Sequence, residues 1–163
     1  MYQTELEIQN EELRNAQEEL KRSQNYFSRL FQMAPVGYIL LDKSGMMVDA
    51  NRTFCSMVDR DHRKLINRPV TDLMVPADTS IFYSRYPSFF KSPEGKFIDL
   101  RFTNPEKGDF DARLKGRFLS LDEKSSPDES RELFVAVTDI TREKQAEHRE
   151  GHAQKVLRAI RNI

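Results

Sequence analysis

Phe110-Asp111-Ala112-Arg113-Leu114-Lys115-Gly116-Arg117-Phe118 alternates apolar or small residues with charged ones. A period of two marks a strand with one face buried and one in water. Antiparallel sheets tolerate such a solvated face, so the stretch points to one. Upstream, Ile98, Leu100 and Phe102 alternate with Asp99 and Arg101. Asn104-Pro105-Glu106-Lys107-Gly108 joins the two runs as a turn led by proline with glycine behind it. Downstream, the polar loop Ser125-Ser126-Pro127-Asp128-Glu129-Ser130 leads to a last strand carrying Leu133, Val135 and Val137.

The residues before this β-rich half read as strand, turn, strand, helix. Gly37-Tyr38-Ile39-Leu40-Leu41 and Met46-Met47-Val48-Asp49 flank Asp42-Lys43-Ser44-Gly45. Asp at the first turn position and Gly at the fourth suit a type I turn followed by a left-handed residue. Phe54, Met57 and Val58 then fall at helical spacing behind Asn51, whose side chain suits an N-cap. Short helical pieces are expected from Asp61 to Phe90, interrupted by Pro69, Pro76 and Pro87. The order ββα(α)βββ predicts an α+β fold, a five-stranded antiparallel sheet with helices on one face.

Long helices are expected on both sides. From about Gln3 to Met33 there is no Gly or Pro, and Leu6, Leu13, Leu20 and Phe27 recur every seven residues. Leu30 and Phe31 thicken this seam, whereas its companion positions Asn10, Gln17 and Gln24 are polar. Glu18 with Arg22, and Glu11 with Arg14, add roughly 0.2–0.5 kcal/mol each on the helix surface. About 45 Å of helix would overhang a small domain, so a parallel coiled-coil dimer is expected. The alternative is one amphipathic helix packed on its own domain. Pro35 stops this helix by pushing Ala34 out of the α region. After Asp139-Ile140-Thr141 the pattern is helical again, with Ala153, Val156, Ile160 and Ile163 as its apolar stripe and Gly151 as a weak point. Asp139 or Thr141 can cap it. Both ends of the chain read as cuts through helices.

The 163 residues suffice for one domain plus extra elements. Charged residues make up 32% and mean hydropathy is −0.68, which fits a modest core flanked by solvated helices. Lys+Arg and Asp+Glu both number 26, so net charge makes no case for a nucleic-acid or anionic-membrane partner. The single cysteine, Cys55, excludes an internal disulfide and a CxxC motif, and suggests a reducing compartment. The longest apolar run, Val36 to Leu41, is far too short to span a membrane. Met1-Tyr2-Gln3-Thr4-Glu5 has no basic start or apolar core of a signal peptide.

Pro35-Val36-Gly37-Tyr38-Ile39-Leu40-Leu41-Asp42, with Gly45 and Asp49-Ala50-Asn51, resembles the start of a PAS domain. Val137-Thr138-Asp139-Ile140-Thr141 resembles the D-I-T motif that joins the last PAS strand to an output helix. The stretch from Glu7 to Leu20 resembles the helix preceding such domains in bacterial sensor histidine kinases and diguanylate cyclases. The resemblance implies strand order 2-1-5-4-3, a central helical region near Ala77 to Phe90, a pocket between sheet and helices, and output through the terminal helices.

It also shows which chemistry is missing. Haem-binding members use a histidine on the central helix, and Ala77 to Phe90 contains none; His62 lies earlier. Photosensing members carry a reactive cysteine in an N-C-R-F-L-Q type motif, whereas Cys55 lies in Asn51-Arg52-Thr53-Phe54-Cys55-Ser56 and reads as a small core residue. With no tryptophan either, haem and flavin are disfavoured and no cofactor is expected. His148 and His152 lack the H-E-L-R-x-P-like context of a phosphoacceptor. No catalytic or metal motif is present.

A small organic ligand is the remaining possibility. Tyr38, Asn51, Phe54, Phe82, Tyr86, Phe90, Leu100, Phe102 and Leu114 would line its pocket, with Arg85 or Arg101 pairing with an anion. The plain alternative is core packing. The expected organisation is therefore 1–33 a coiled-coil signalling helix, 34–141 the PAS domain and 142–163 an output helix. The expected function is a cytoplasmic, homodimeric, non-catalytic input module of a multidomain signal-transduction protein. Leu6, Leu13, Leu20, Phe27, Leu30 and Phe31 form its dimer seam, and Asp139, Ile140 and Thr141 its relay. The parent is expected to be a two-component sensor histidine kinase or a diguanylate cyclase, its output domain the downstream partner in the same chain. A protein-interaction adaptor that senses nothing is the rival.

Overall fold

The structure is a computed structural model, and it describes residues 2–118 and 131–161. The expected polar loop 125–130 and Ile163 lie outside the described residues. Two compact units divide at Ala34/Pro35. The first is one helix, α1 (Tyr2–Met33). Its heptad residues Leu6, Leu13, Leu20, Phe27 and Leu30 are 51 to 65% exposed in the single chain.

The second unit opens with β1 (Gly37–Leu41) and β2 (Met47–Ala50), joined by the turn that Asp42 and Gly45 announce. The Asp42 carboxylate accepts from the amides of Ser44 and Met46, both at 2.9 Å. Gly45 takes φ +85°, and a Cβ there would meet Phe82 at 2.9 Å. Three helices come next: α2 (Arg52–Val58), α3 (His62–Leu65) and α4 (Pro76–Lys91), with a 3₁₀ turn at Val70–Leu73. Then come β3 (Ile98–Phe102), β4 (Phe110–Phe118), β5 (Leu133–Asp139) and α5 (Thr141–Arg161).

The sheet is antiparallel with order β2-β1-β5-β4-β3. Its inner face, read from strand alternation, presents Ile39, Leu41, Leu100, Leu114 and Val135 to Phe54, Phe82 and Phe89 of the helices. Both sheet edges are covered, which removes the templates for edge-to-edge pairing. Met47 N donates to Arg68 O and Asn67 N to Met47 O along β2. Beside β3, Val75 N donates to Arg101 O and Thr103 N to Leu73 O.

One expectation fails here. Pro87 does not interrupt the helix: α4 runs through it to Lys91. An interior proline costs about 3 kcal/mol, but buried Phe82, Tyr86 and Phe89 anchor the helix on both sides of it. Pro76, by contrast, stands in the first turn, where its missing N–H has no helical partner to lose.

Candidate functional site

The proposed pocket residues divide between a packed interior, a buried structural asparagine and the outer surface. Phe54, Phe82, Tyr86, Leu100, Phe102 and Leu114 are buried between sheet and helices. Their rings are in mutual contact: Phe82 stacks on Tyr86 at 4.7 Å, and Phe54 meets Phe102 edge-on at 6.1 Å. Phe90 is half-buried against Phe118, centroids 5.3 Å apart. The Tyr86 hydroxyl donates to the Asp42 carbonyl at the turn. Burial, with Asp42 adding to it, pushes this phenol well above its ordinary pKa, so it remains a donor.

Asn51 is fully buried and holds three segments together. Its Oδ1 accepts from Phe54 N at 3.0 Å, capping α2, and from Tyr38 N at 2.9 Å; its Nδ2 donates to Val36 O at 3.0 Å. The cap was legible in the sequence, but the bonds back to β1 were not.

Tyr38 and Arg101 are corrected: both lie on the outer face of the sheet. Strand alternation that sends Ile39 and Leu100 inward must send their neighbours outward. Tyr38 packs on Phe134 with centroids 4.7 Å apart, and Arg101 sits 4.0 Å from Asp111. Arg85 is likewise outside, exposed and one helical step from buried Tyr86. Among the described residues, the aromatic interior therefore takes in neither Arg85 nor Arg101.

Cys55 packs partly buried against the core. Burial first, then Asp61 and Asp49, raise its thiol pKa, so it stays protonated and poorly nucleophilic. His62 meets Asp49 at 2.9 Å at the surface. Among the described residues, no group of three or more His, Cys, Asp or Glu could hold a metal. None of the described helices is long and apolar enough to cross a membrane.

The junction between β5 and α5 is the most organised polar feature. Asp139 Oδ1 accepts from Thr141 N at 2.9 Å and from its hydroxyl at 2.6 Å, capping the helix. The Thr141 hydroxyl accepts in turn from Asp111 N at 3.1 Å, and Ile140 N donates to Asp111 O at 2.8 Å. Thus Asp139, Ile140 and Thr141 tie the first turn of α5 to the start of β4. A second tie runs over the outer face. Arg113 on β4 clasps Asp99 on β3, and Lys144 on α5 reaches the same carboxylate at 3.7 Å. Hydrogen bonds from Arg113 hold the Asp99 carboxyl below the ordinary aspartate value, and the charges of Arg113 and Lys144 add to this. The sequence reading missed this triad, although the outward parity of Asp99 and Arg113 was its signal.

Sequence reasoning also missed two surface grooves that share Gly95, Lys96 and Phe97. One, of about 810 Å³, lies over the outer face beside Tyr38, Phe134 and Arg117. The other, of about 450 Å³, lies between α4 and β3 and includes Arg85.

Comparison with known proteins supports the architecture. Residues 25–92 match the family model described as PAS fold. No curated protein matches the chain. Among solved structures, the PAS domain of an HTR-like protein from Haloarcula marismortui superposes with a TM-score of 0.65 at 15% identity, covering 78% of this chain and 99% of that one. A PAS domain from a two-component sensor histidine kinase superposes with a TM-score of 0.57 at 14% identity, covering 73% and 97%. The PAS domain of the Cronobacter turicensis quorum-sensing receptor RpfR, in complex with BDSF, gives a TM-score of 0.54 at 20% identity, covering 66% and 96%.

Proposed function

From the premise that this chain carries a PAS domain, we propose that it is the sensory and dimerisation module of a multidomain signal-transduction protein, with a two-component sensor histidine kinase as the favoured parent. The observation that carries this reading is the β5–α5 junction. A helix bonded at its first turn to β4 through Asp111 and Thr141 moves when the sheet moves. The module itself performs no catalysis; it biases an output domain through α5. The solved relatives include a sensor histidine kinase domain and a quorum-sensing receptor domain bound to a small molecule, which fits such a role.

The dimer rests on α1. An isolated amphipathic helix of this length, with leucines exposed at heptad spacing, needs a partner surface to be stable in water. A second α1 supplies a matching seam, and the polar positions Asn10, Gln17 and Gln24 keep it weak enough to change register for a few kcal/mol. Light scattering tests this. The wild-type chain is expected at twice its 19.1 kDa mass, and Leu13→Asp with Leu20→Asp at the monomer mass. An unchanged dimer in the double variant removes α1 as the interface.

A second reading, a protein-interaction adaptor without a ligand, draws on the ring-filled interior at Phe54, Phe82, Tyr86 and Phe102. Under it, no small molecule changes the properties of the domain.

A further inference from the structure

The 450 Å³ groove between α4 and β3 is unlike the interior in its chemistry. Ser84, Arg85 and Ser88 line it from α4, Lys96 and Phe97 line it from the loop before β3, and buried Phe89 supplies an apolar floor. Its volume lies within the range of small-ligand sites, roughly 300–1,000 Å³. Among the described residues that line it, none is acidic. The Lys96 ammonium is already held across it, donating to Ser88 O at 3.3 Å and Ser88 Oγ at 3.2 Å. A guanidinium and an ammonium lining one concave surface can both give charge-assisted hydrogen bonds to an anion held between them.

We propose that this groove binds a small organic phosphate. The three terminal oxygens of a monophosphate match the donors at hand: the planar fork of Arg85, the ammonium of Lys96 and the Ser84 and Ser88 hydroxyls. The organic body lies against Phe97 and Phe89. A carboxylate, with two oxygens, leaves more of these donors unused.

The wall of the groove is also the start of a contact chain to the output helix. The Arg113 guanidinium sits 4.2 Å from the Phe97 ring centroid. Arg113 grips Asp99, and Lys144 of α5 reaches Asp99. An occupant that shifts Phe97 therefore acts on the groups that hold α5. The proposal rests on the sensory reading above and names its class of signal and point of entry, outside the aromatic interior.

The test is a titration of the full chain with phenyl phosphate, followed by amide ¹H–¹⁵N NMR. Saturable shifts are expected at Ser84, Arg85, Ser88, Lys96 and Phe97. Arg85→Gln with Lys96→Gln should weaken binding at least about tenfold, as expected for losing two charge-assisted contacts. Arg85→Lys, which keeps charge but loses the fork, should fall between. Lys107→Gln, an exposed cation elsewhere, should leave the affinity unchanged. The absence of saturable shifts at these residues overturns the proposal. So does equal weakening by Lys107→Gln, which marks unspecific charge attraction. Since the titration reads binding alone, its failure leaves the dimer measurement standing, and a monomeric chain leaves the titration interpretable.

Discussion

Arg113 grips Asp99 with two hydrogen bonds across neighbouring strands, from Nε at 2.8 Å and from Nη2 at 3.0 Å. The two residues are direct register partners on β3 and β4, so the geometry follows from the pairing itself. With Lys144 of α5 3.7 Å from the same carboxylate, a strand pair and α5 share one anion.

This arrangement sets a pH dependence. The folded-state pKa of Asp99 lies below its unfolded value of about 3.8. Its contribution to stability is therefore present above that value and is lost as pH falls through the lower, folded one. Urea denaturation at descending pH should show Asp99→Asn less stable than wild type near neutrality. The two should begin to converge below pH ~3.8 and meet only once pH has fallen through the lower, folded value. A constant difference down to the acid limit would show that the carboxylate's charge is irrelevant.

Asn51 offers a sharper stability test, because its side chain is fully buried and bonds to Phe54, Tyr38 and Val36. Asn51→Ala removes a helix cap and the side-chain bonds to the Tyr38 amide and the Val36 carbonyl. A loss of about 3 kcal/mol in chemical denaturation is expected, combining the cap with unsatisfied backbone groups. A loss below about 1 kcal/mol would mean that these groups find other partners.

Two glycines should respond in opposite directions to alanine. Gly45 has φ +85° and its Cβ would lie 2.9 Å from the Phe82 ring, so Gly45→Ala combines backbone strain with a core clash. It should cost about 1–3 kcal/mol. Gly151, in α5, has open space where a Cβ would stand, with nothing within 4 Å. Gly151→Ala should therefore stabilise that helix by up to about 1 kcal/mol. Circular dichroism melts of the two variants give the comparison. A destabilised Gly151→Ala would reveal a contact on α5 that the single chain does not contain.

Much of the fold was legible because its signals are local. Alternation at Ile98–Phe102 and Phe110–Phe118 gave both strands with their faces, and Asp42 with Gly45 gave the first hairpin turn. Strand order came through family resemblance, and the sheet has that order. Pro87 misled because its local penalty is outweighed by three buried aromatics spaced along α4, a tertiary effect. The site was less legible. Arg101 does not join the interior residues, because the alternation of its own strand turns it to the exposed face between buried Leu100 and Phe102. Lys96 and Phe97 belong to a loop without periodicity, and only the approach of α4 to β3 makes them walls of a groove.

Hydrogen exchange on α5 tests most directly whether the sheet controls this helix through its first turns. Thr141→Val with Arg113→Ala removes the Asp111–Thr141 hydrogen bond, the Thr141 hydroxyl bond to Asp139 and the grip on Asp99. Amides from Glu143 to Glu150 should then exchange about tenfold faster or more, the equivalent of one to two hydrogen bonds, while β1 and β5 keep their protection. Unchanged exchange along α5, or a uniform rise through the whole domain, would contradict the account.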